Sequence, residues 1–385
     1  MLRRINLQLL AEQLAFLEEN PVFNPRLKTY IRQLRESVDV LLVVFEGIPG
    51  NFQVSIINNI SCVIKFLSGS TPRSIPYEIA YALEQALMGW ENENSIYSRE
   101  SIITTGISPT IGNGFSFLHL PEDFYILLKT VSNVDIGYRL VQICLPEIYR
   151  HKPLYCTPLY HELGHYVAVR FEIVAAWLRE DSALSLDLPI PQKLVDNSGK
   201  DIIEFHRKYR EEIFADIFAA AYAGSSSIDQ LASLTGFWEP ASETHPSAKD
   251  RIKIVHDFLT ETHNPIVDSL FKALEAYAEH GWTKFPKLDK KYSTIDLGGT
   301  FGNFRPYRIK NKAEMYGIFP AAWNFLDDML KNKTGNWKQF DQEQKTEQIV
   351  NNLVEKTIRN YMIENKWNEN TSKTAHNGTL EVTGG

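Results

Sequence analysis

Cysteine is scarce in this chain of 385 residues. Only Cys62, Cys144 and Cys156 are present, and no two of them form a Cys-x-x-Cys pair. Three cysteines are too few for the disulfide framework of a small secreted protein. We therefore expect three reduced thiols and a cytoplasmic protein.

The sequence also lacks a long hydrophobic run. Its most apolar segments, 38–45 and 213–222, are far shorter than the roughly 20 residues that a membrane-spanning helix needs. The first four residues, MLRR, resemble the start of a signal peptide, but three glutamates within 12–19 interrupt the apolar segment that should follow. We predict neither a signal peptide nor a membrane span.

Basic residues are not in excess. The chain has 40 Lys and Arg against 47 Asp and Glu, a net charge of −7, and no segment combines basic with aromatic residues densely enough to predict nucleic-acid binding. Hydrophobic residues at 44% and charged residues at 23% are ordinary for a globular protein. A sizeable core is therefore expected, and no nucleic-acid partner.

Helical periodicity dominates both ends of the chain, and short segments rich in β-branched and aromatic residues predict three strands between them. The predicted helices at the two ends cover 2–19, 24–46, 54–67, 77–90, 313–330 and 342–365, and the predicted strands cover 101–107, 115–120 and 139–145. We predict an α+β fold that is mostly helical. Its expected parts are a helical N-terminal lobe (1–93), a core (94–262), a helical C-terminal lobe (263–365) and a flexible tail (366–385).

Two features of the strand region allow functional interpretations. The loop at 106–114 holds three glycines and a proline, but it lacks a following Lys-Ser or Lys-Thr pair, and we expect no parallel sheet there. A phosphate-binding loop is therefore rejected. The strand at 139–145 would bind an extended peptide if it lay at a sheet edge, and an interior position is the alternative.

Residues 161–165 form the sequence His-Glu-Leu-Gly-His in an apolar context. We predict that they lie on a helix that runs to about Glu180, and that a loop follows at 183–200. Residues four apart share a helix face, so His161 and His165 can bind one ion. Glu162 follows by about 100° of rotation, near enough to the ion's open side to accept a proton from bound water. Gly164 costs about 1 kcal/mol relative to alanine, which predicts that another element packs closely there. The alternative is a buried helix with two hydrogen-bonded histidines.

A catalytic zinc needs a third protein ligand, which in the thermolysin-type arrangement is a glutamate on a following helix. The predicted helix at 201–223 places Glu212 and Asp216 on one face within an apolar stretch. Burying two carboxylates is unfavourable unless they are paired or bind a cation. We predict Glu212 as the third ligand and Asp216 as the acceptor for the other ring N–H of His161 or His165.

The alternative for this segment is a solvated face. Glu211 and Glu212 would then form ion pairs with nearby basic residues, which are Arg207, Lys208 and Arg210. Glu211 is the reserve ligand if the helical register differs by one residue.

A third motif is Thr244-His245-Pro246. Pro246 suits the first position of a helix, and Thr244 or His245 its N-cap. His245 would face the metal site and hydrogen-bond the developing oxyanion, and Arg251 would pair with an active-site carboxylate. A simple helix cap is the alternative.

Taken in order, HELGH at 161–165, EIFAD at 212–216 and THP at 244–246 followed by Arg251-Ile252 resemble the HtpX-like and CAAX-prenyl-protease family of gluzincin metallopeptidases. The resemblance covers about 135–260. It implies a zincin-like core at 94–262, zinc bound by His161, His165 and Glu212, Glu162 as the general base, and His245 near the site. Members of that family are commonly membrane-embedded, so a membrane substrate is not carried over to a chain without a predicted span.

We therefore expect a zinc-dependent endopeptidase that hydrolyses a peptide bond by attack of zinc-bound water assisted by Glu162. Tyr160 or Tyr166 would further stabilise the oxyanion. The helical lobes favour a regulated intracellular protease with a dedicated protein substrate and a regulatory partner. The alternative is a catalytically silent scaffold.

The terminal Gly384-Gly385 resembles the conjugation terminus of ubiquitin-like proteins, although no such domain precedes it, and a disordered end is the alternative.

Overall fold

A computed structural model describes residues 2–19, 24–68, 77–91, 99–108, 114–198, 201–235, 240–279, 285–332, 334–340 and 342–378. This described part is mostly helical with one small sheet, as the α+β prediction requires. Its helices are α1 (Leu2–Glu19), α2 (Pro25–Val44), α3 (Gly50–Ser68), α4 (Tyr77–Glu91), α5 (Glu122–Ser132), α6 (Pro158–Arg170), α7 (Ile173–Glu180), α8 (Gln192–Ser198), α9 (Ile202–Ala223), α10 (Ser226–Thr235), α11 (Ala248–Thr260), α12 (Pro265–Glu279), α13 (Gly298–Phe301), α14 (Lys312–Asn332) and α15 (Glu343–Gly378). The strands are β1 (Glu100–Ser108), β2 (Ser116–His119) and β3 (Tyr138–Pro146).

The sheet has the order β1-β3-β2. Strand β1 runs parallel to β3, with Glu100 opposite Tyr138, and β2 runs antiparallel to β3, with Ser116 opposite Cys144. The strand predicted at 139–145 is therefore interior, and the edge position considered for it is wrong. Among the described residues, β2 pairs with β3 alone, so β2 is the edge strand next to the later helices.

The sheet separates two hydrophobic cores. Successive residues of a strand point to opposite faces. Accordingly Ile102 and Leu140 join α1, α2, α3 and α5 in one core, whereas Ile103 and Val141 join α4 and the later helices in the other. Helix α4, inside the predicted N-terminal lobe, thus contributes to the second core. The boundaries of the predicted lobes stay a prediction.

Helix ends follow local chemistry where the sequence carries a signal. Asn24 caps α2 by accepting a hydrogen bond from the Arg26 backbone N–H at 3.0 Å, and Pro25 occupies the first turn. Asp201 caps α9 in the same way through the Ile203 N–H, and Gly224 with φ 62° ends that helix, as predicted.

Several predicted boundaries are wrong. The helix expected to run to Glu180 breaks after Arg170, where Glu172 adopts φ 53°, and α7 begins there. The segment 183–200, predicted as loop, contains α8. Helix α11 begins at Ala248 with Ser247 as its cap, accepting from the Asp250 N–H at 3.2 Å, so neither Thr244 nor His245 caps it.

Three further differences concern α5, the glycine-rich loop and the tail. The sequence predicted no helix at α5. A parallel strand pair is present beside the loop at 106–114, contrary to expectation, but residues 109–113 lie outside the described part. Helix α15 extends past 366 to Gly378, and 379–385, with Gly384-Gly385, are likewise not described. None of the described helices combines the length and apolarity that crossing a bilayer requires.

Candidate metal centre

The centre is built where α6 crosses α9. A Cβ placed on Gly164 would lie 2.8 Å from the Ala215 Cα and 3.2 Å from the Phe218 Cβ, so only glycine permits this approach. The predicted close packing at Gly164 is confirmed. Because both helices are buried at the crossing, their polar residues there must find partners or a ligand.

His161 and His165 on α6 meet Glu212 on α9. One ligand atom from each of the three lies within 4.8 Å of the others. The two histidine Nε2 atoms are 3.0 Å apart. Glu212 Oε2 lies 3.5 Å from His161 Nε2, and Glu212 Oε1 lies 3.4 Å from His165 Nε2. The structure thus brings together the three residues predicted as metal ligands.

The separations of these atoms fit a tetrahedral zinc site. With zinc–ligand bonds of about 2.0–2.1 Å, ligand atoms at tetrahedral angles are roughly 3.3 Å apart. Moreover, Glu212 Oε2 is a buried oxygen that accepts no hydrogen bond within the described residues, although Arg251 Nη2 lies 3.3 Å away. A buried carboxylate oxygen without a donor is unfavourable, and a bound cation would satisfy it. Two imidazoles and a carboxylate are also a donor set that catalytic zinc uses.

Asp216 lies one turn beyond Glu212 and orients the histidine. Its Oδ1 is 2.9 Å from His161 Nδ1, so Nε2 of that ring is directed toward the ligand cluster. Arg251 in α11 donates to both Asp216 oxygens, from Nε at 2.7 Å and from Nη2 at 2.8 Å. Asp216 and Arg251 are 7% and 6% exposed, so this bidentate pair is shielded from water and holds α11 against α9.

His245 approaches the same cluster from the turn before α11. Its Nε2 lies 3.3 Å from Glu212 Oε1, and its Nδ1 lies 2.6 Å from Thr244 Oγ1. The side chain is 49% exposed, unlike the residues predicted as ligands. His245 therefore lies at the mouth of the site, between Glu212 and solvent.

The two histidines of α6 have opposite pKa shifts. Burial lowers the pKa of His161, but its contacts with the Asp216 and Glu212 carboxylates outweigh burial and raise the pKa to about 10. Burial and the adjacent His161 charge lower the pKa of His165 to about 4. Without a metal, the pair therefore carries one positive charge at neutral pH, and that charge is on His161.

The carboxyl groups of the site also have pKa values that are shifted in opposite directions. Burial raises the pKa of Glu212, but the neighbouring histidines and Arg251 outweigh it and lower the pKa to about 2. The pKa of Asp216 is also lowered, well below the usual aspartate value. Burial alone would raise it, but the charges and hydrogen bonds of Arg251 and His161 outweigh burial. Glu162 has a raised pKa, mainly because it is buried. Within the described residues Glu162 makes no hydrogen bond or ion pair, so it is the carboxylate of the site most available to accept a proton.

Three residues considered as site candidates lie elsewhere. Glu211, the reserve ligand, pairs with Arg207 at 2.5 Å on the outer face of α9. Tyr160 is buried in an aromatic cluster and stacks on Tyr222, and the Tyr166 hydroxyl lies 2.7 Å from Ser101 Oγ. A role of either tyrosine at the oxyanion is therefore wrong, because residues next to the two histidines in sequence point to other faces of α6.

The sequence did not identify Phe117 of β2 as part of the site. Its ring stacks on His165 with centroids 5.9 Å apart and planes at 15°. Alternation along β2 places Phe117 on the face that α6 covers. No motif marks this residue, because only the sheet order brings β2 beside α6.

The comparisons with known proteins add no assignment: no protein-family model, no curated protein and no solved structure matches this chain. The function must therefore be argued from the geometry of the site.

Proposed function

We propose that the chain is a zinc-dependent endopeptidase of the gluzincin type. One observation carries the proposal: His161, His165 and Glu212 converge within 4.8 Å, with a buried Glu212 oxygen that accepts no hydrogen bond from the described residues. Three protein ligands leave a fourth position open, which is the arrangement of catalytic rather than structural zinc.

The zinc would supply a Lewis acid for the peptide carbonyl and would lower the pKa of water at the open position. Glu162 would accept the proton of the attacking water and return it to the leaving amine. Its burial-raised pKa makes the Glu162 carboxylate a stronger base for the first of these steps. His245, at the mouth of the site, would donate a hydrogen bond to the developing oxyanion.

Strand β2 would hold the substrate. Among the described residues β2 pairs with β3 alone and contacts α6, and an extended peptide can add to the free edge of such a strand through backbone hydrogen bonds. Phe117 fixes β2 against His165, so a peptide paired with β2 would run close to the ligand cluster.

We further propose a cytoplasmic protease with a dedicated protein substrate and a regulatory partner. The cytoplasmic location is supported by the three cysteines, none of which forms a disulfide. Regulation is supported by the helices outside the crossing of α6 and α9, which the hydrolytic chemistry does not require.

The test is the substitution Glu162→Gln, which retains the shape and removes the base. We expect cleavage of labelled casein, or of the cognate protein found by comparing new N-termini in cells, to fall by about 10²–10⁴-fold, with zinc content unchanged. Glu180→Gln is the matched control, because Glu180 is on α7 and pairs with Lys272 at 2.7 Å. Equal cleavage by wild type and Glu162→Gln would contradict the proposed mechanism, and absence of zinc from the wild type would favour a scaffold.

A further inference from the structure

A second concave site lies apart from the metal centre. Helices α10, α14 and the start of α15, together with the segment before α6, line an open cavity of about 660 Å³. This volume is within the range of roughly 300–1,000 Å³ that small-molecule sites occupy. None of the residues discussed for the metal centre lines it.

The cavity is strongly acidic. Four carboxylates and one ammonium group line it, so its net charge is −3. The ammonium group of Lys152 lies 3.3 Å from Glu347 and neutralises it. Asp327 pairs with Lys331 at 2.6 Å, outside the lining. Asp229 and Glu343 have no ion-pair partner among the described residues.

Two of these carboxylates repel each other. The pKa of Asp229 is raised by partial desolvation of its carboxyl group and, after that, by the negative charge of Asp327. Asp229 belongs to α10 and Asp327 to α14, so their approach is a consequence of the tertiary fold rather than of helical spacing. A cation between the two helices would relieve this repulsion.

The apolar walls are aromatic. Tyr155 and Trp323 meet edge to face with centroids 5.3 Å apart, and the Trp323 Nε1 donates to the Leu154 carbonyl at 3.2 Å, which fixes the indole. The ammonium of Lys152 already lies 5.5 Å from the centre of the Tyr155 ring while it pairs with Glu347. The wall thus shows, within the chain itself, how a ring and a carboxylate bind an alkylammonium group together.

A metal ion fits this cavity poorly. A divalent cation needs several oxygen ligands that converge at about 2.0–2.6 Å from one point. Within the described residues, the only cluster of three potential ligand side chains with that convergence is His161, His165 and Glu212. The carboxylates of the cavity are instead distributed over α10, α14 and α15.

We propose that this cavity binds an organic cation with two or more amine or guanidinium groups. One group lies between Asp229 and Asp327, a second lies near Glu343, and the carbon chain between them packs on Trp323. Free polyamines and the lysine or arginine side chains of a basic peptide share this chemistry. The inference does not depend on the metal centre, because no residue of that centre takes part.

The experiment is isothermal titration calorimetry of the full-length protein with spermidine, with a hexa-arginine peptide and with calcium chloride. We expect at least one of the two organic cations to bind. The double substitution Asp229→Asn with Asp327→Asn should weaken that binding about tenfold or more. Asp328→Asn is the matched control, since Asp328 is exposed beside Asp327 on α14, bonds Asn332 at 2.6 Å and does not line the cavity. It should change the affinity less than about twofold.

Each outcome discriminates. Binding of spermidine alone identifies a polyamine site, and binding of the peptide alone identifies a site for a basic protein segment. The proposal is overturned if neither organic cation binds at millimolar concentration, if calcium alone binds, or if the double variant binds as tightly as wild type. Should the double variant lose its cooperative thermal transition, Glu343→Gln replaces it, because Glu343 is exposed at the start of α15.

Discussion

Helix α9 carries two buried charged clusters, less than two turns apart, with different chemistry. In the first, Arg210 is fully buried and donates to the carboxylate of Asp181, which also accepts from the Ser185 backbone and hydroxyl at 2.8 Å each. Arg210 also donates to Nδ1 of His206 at 2.7 Å, and burial together with the Arg210 charge lowers the pKa of that ring, as suits a neutral acceptor. In the second cluster, Glu212 and Asp216 meet His161 and Arg251.

The difference lies in which atoms remain without a partner. In the first cluster the unsatisfied atom is a donor, Nε of Arg210, whose guanidinium lies 5.4 Å from the centre of the Trp177 ring. In the second it is an acceptor, Oε2 of Glu212, beside two imidazole nitrogens. A leftover donor cannot bind a cation, whereas converging acceptors can. Burial of charge alone therefore does not identify a metal site on this helix.

The largest expected effect is a loss of folding stability when the first cluster is disrupted, with zinc binding at the second cluster retained. Arg210→Met should destabilise the protein by about 3–5 kcal/mol, because it leaves the Asp181 carboxylate buried without its cation. For a chain of this length that corresponds to a fall in Tm of roughly 4–6 °C. Arg207→Met is the control, since the Arg207 side chain is 47% exposed and should contribute less than about 1 kcal/mol. Differential scanning fluorimetry measures Tm. Loss of zinc from folded Arg210→Met would contradict the distinction between the clusters.

A smaller effect should come from Asp216. Asp216→Asn removes the charge that holds Nδ1 of His161, so zinc affinity should fall by about 10–100-fold while binding persists. Asp257→Asn is the comparison, because Asp257 is also buried and bonded, to Lys253 and Asn264, but lies outside the site. Competition with a chromophoric chelator gives the affinities. Equal zinc affinity in the two variants would remove Asp216 from the site.

The smallest expected effect is the release of a proton when zinc binds. At pH 6, His161 with a pKa of about 10 is charged and His165 with a pKa of about 4 is neutral, so zinc should displace about one proton. Zinc affinity should then rise by up to about tenfold per pH unit. Because the pKa of His161 is raised above the usual histidine pKa of 6.5, its protonation stabilises the metal-free fold fully below pH 6.5, and this contribution is lost as pH rises toward 10. Calorimetry in two buffers of different ionisation enthalpy counts the protons. Release of none or two would contradict the assignment.

The sequence predicts the metal centre better than the rest because its signals are local. His161 and His165 share a helix face by spacing alone, and Glu212 with Asp216 do so on a second helix. Gly164 even predicted the close crossing, since its cost in a helix needs a reason in packing. What the sequence left open was whether the two helices meet, which is a tertiary fact.

The errors arise where tertiary structure overrides local preference. No glycine or proline marks the break at Glu172, whose positive φ joins α6 to α7. The interior position of β3 follows from sheet order, which no spacing reports. Tyr160 and Tyr166 adjoin the histidines in sequence but are directed away from them by helical geometry. The acidic cavity depends on three separate helices, so no single segment predicts it.

The most direct test of the central claim is the zinc content of the purified protein, measured by inductively coupled plasma mass spectrometry. The wild type should hold about one zinc per chain, and Glu212→Gln should lose it. Glu211→Gln, one residue away on the same helix but paired with Arg207 on the outer face, should retain about one zinc. Equal zinc content in the two variants, or none in the wild type, would contradict the metal centre.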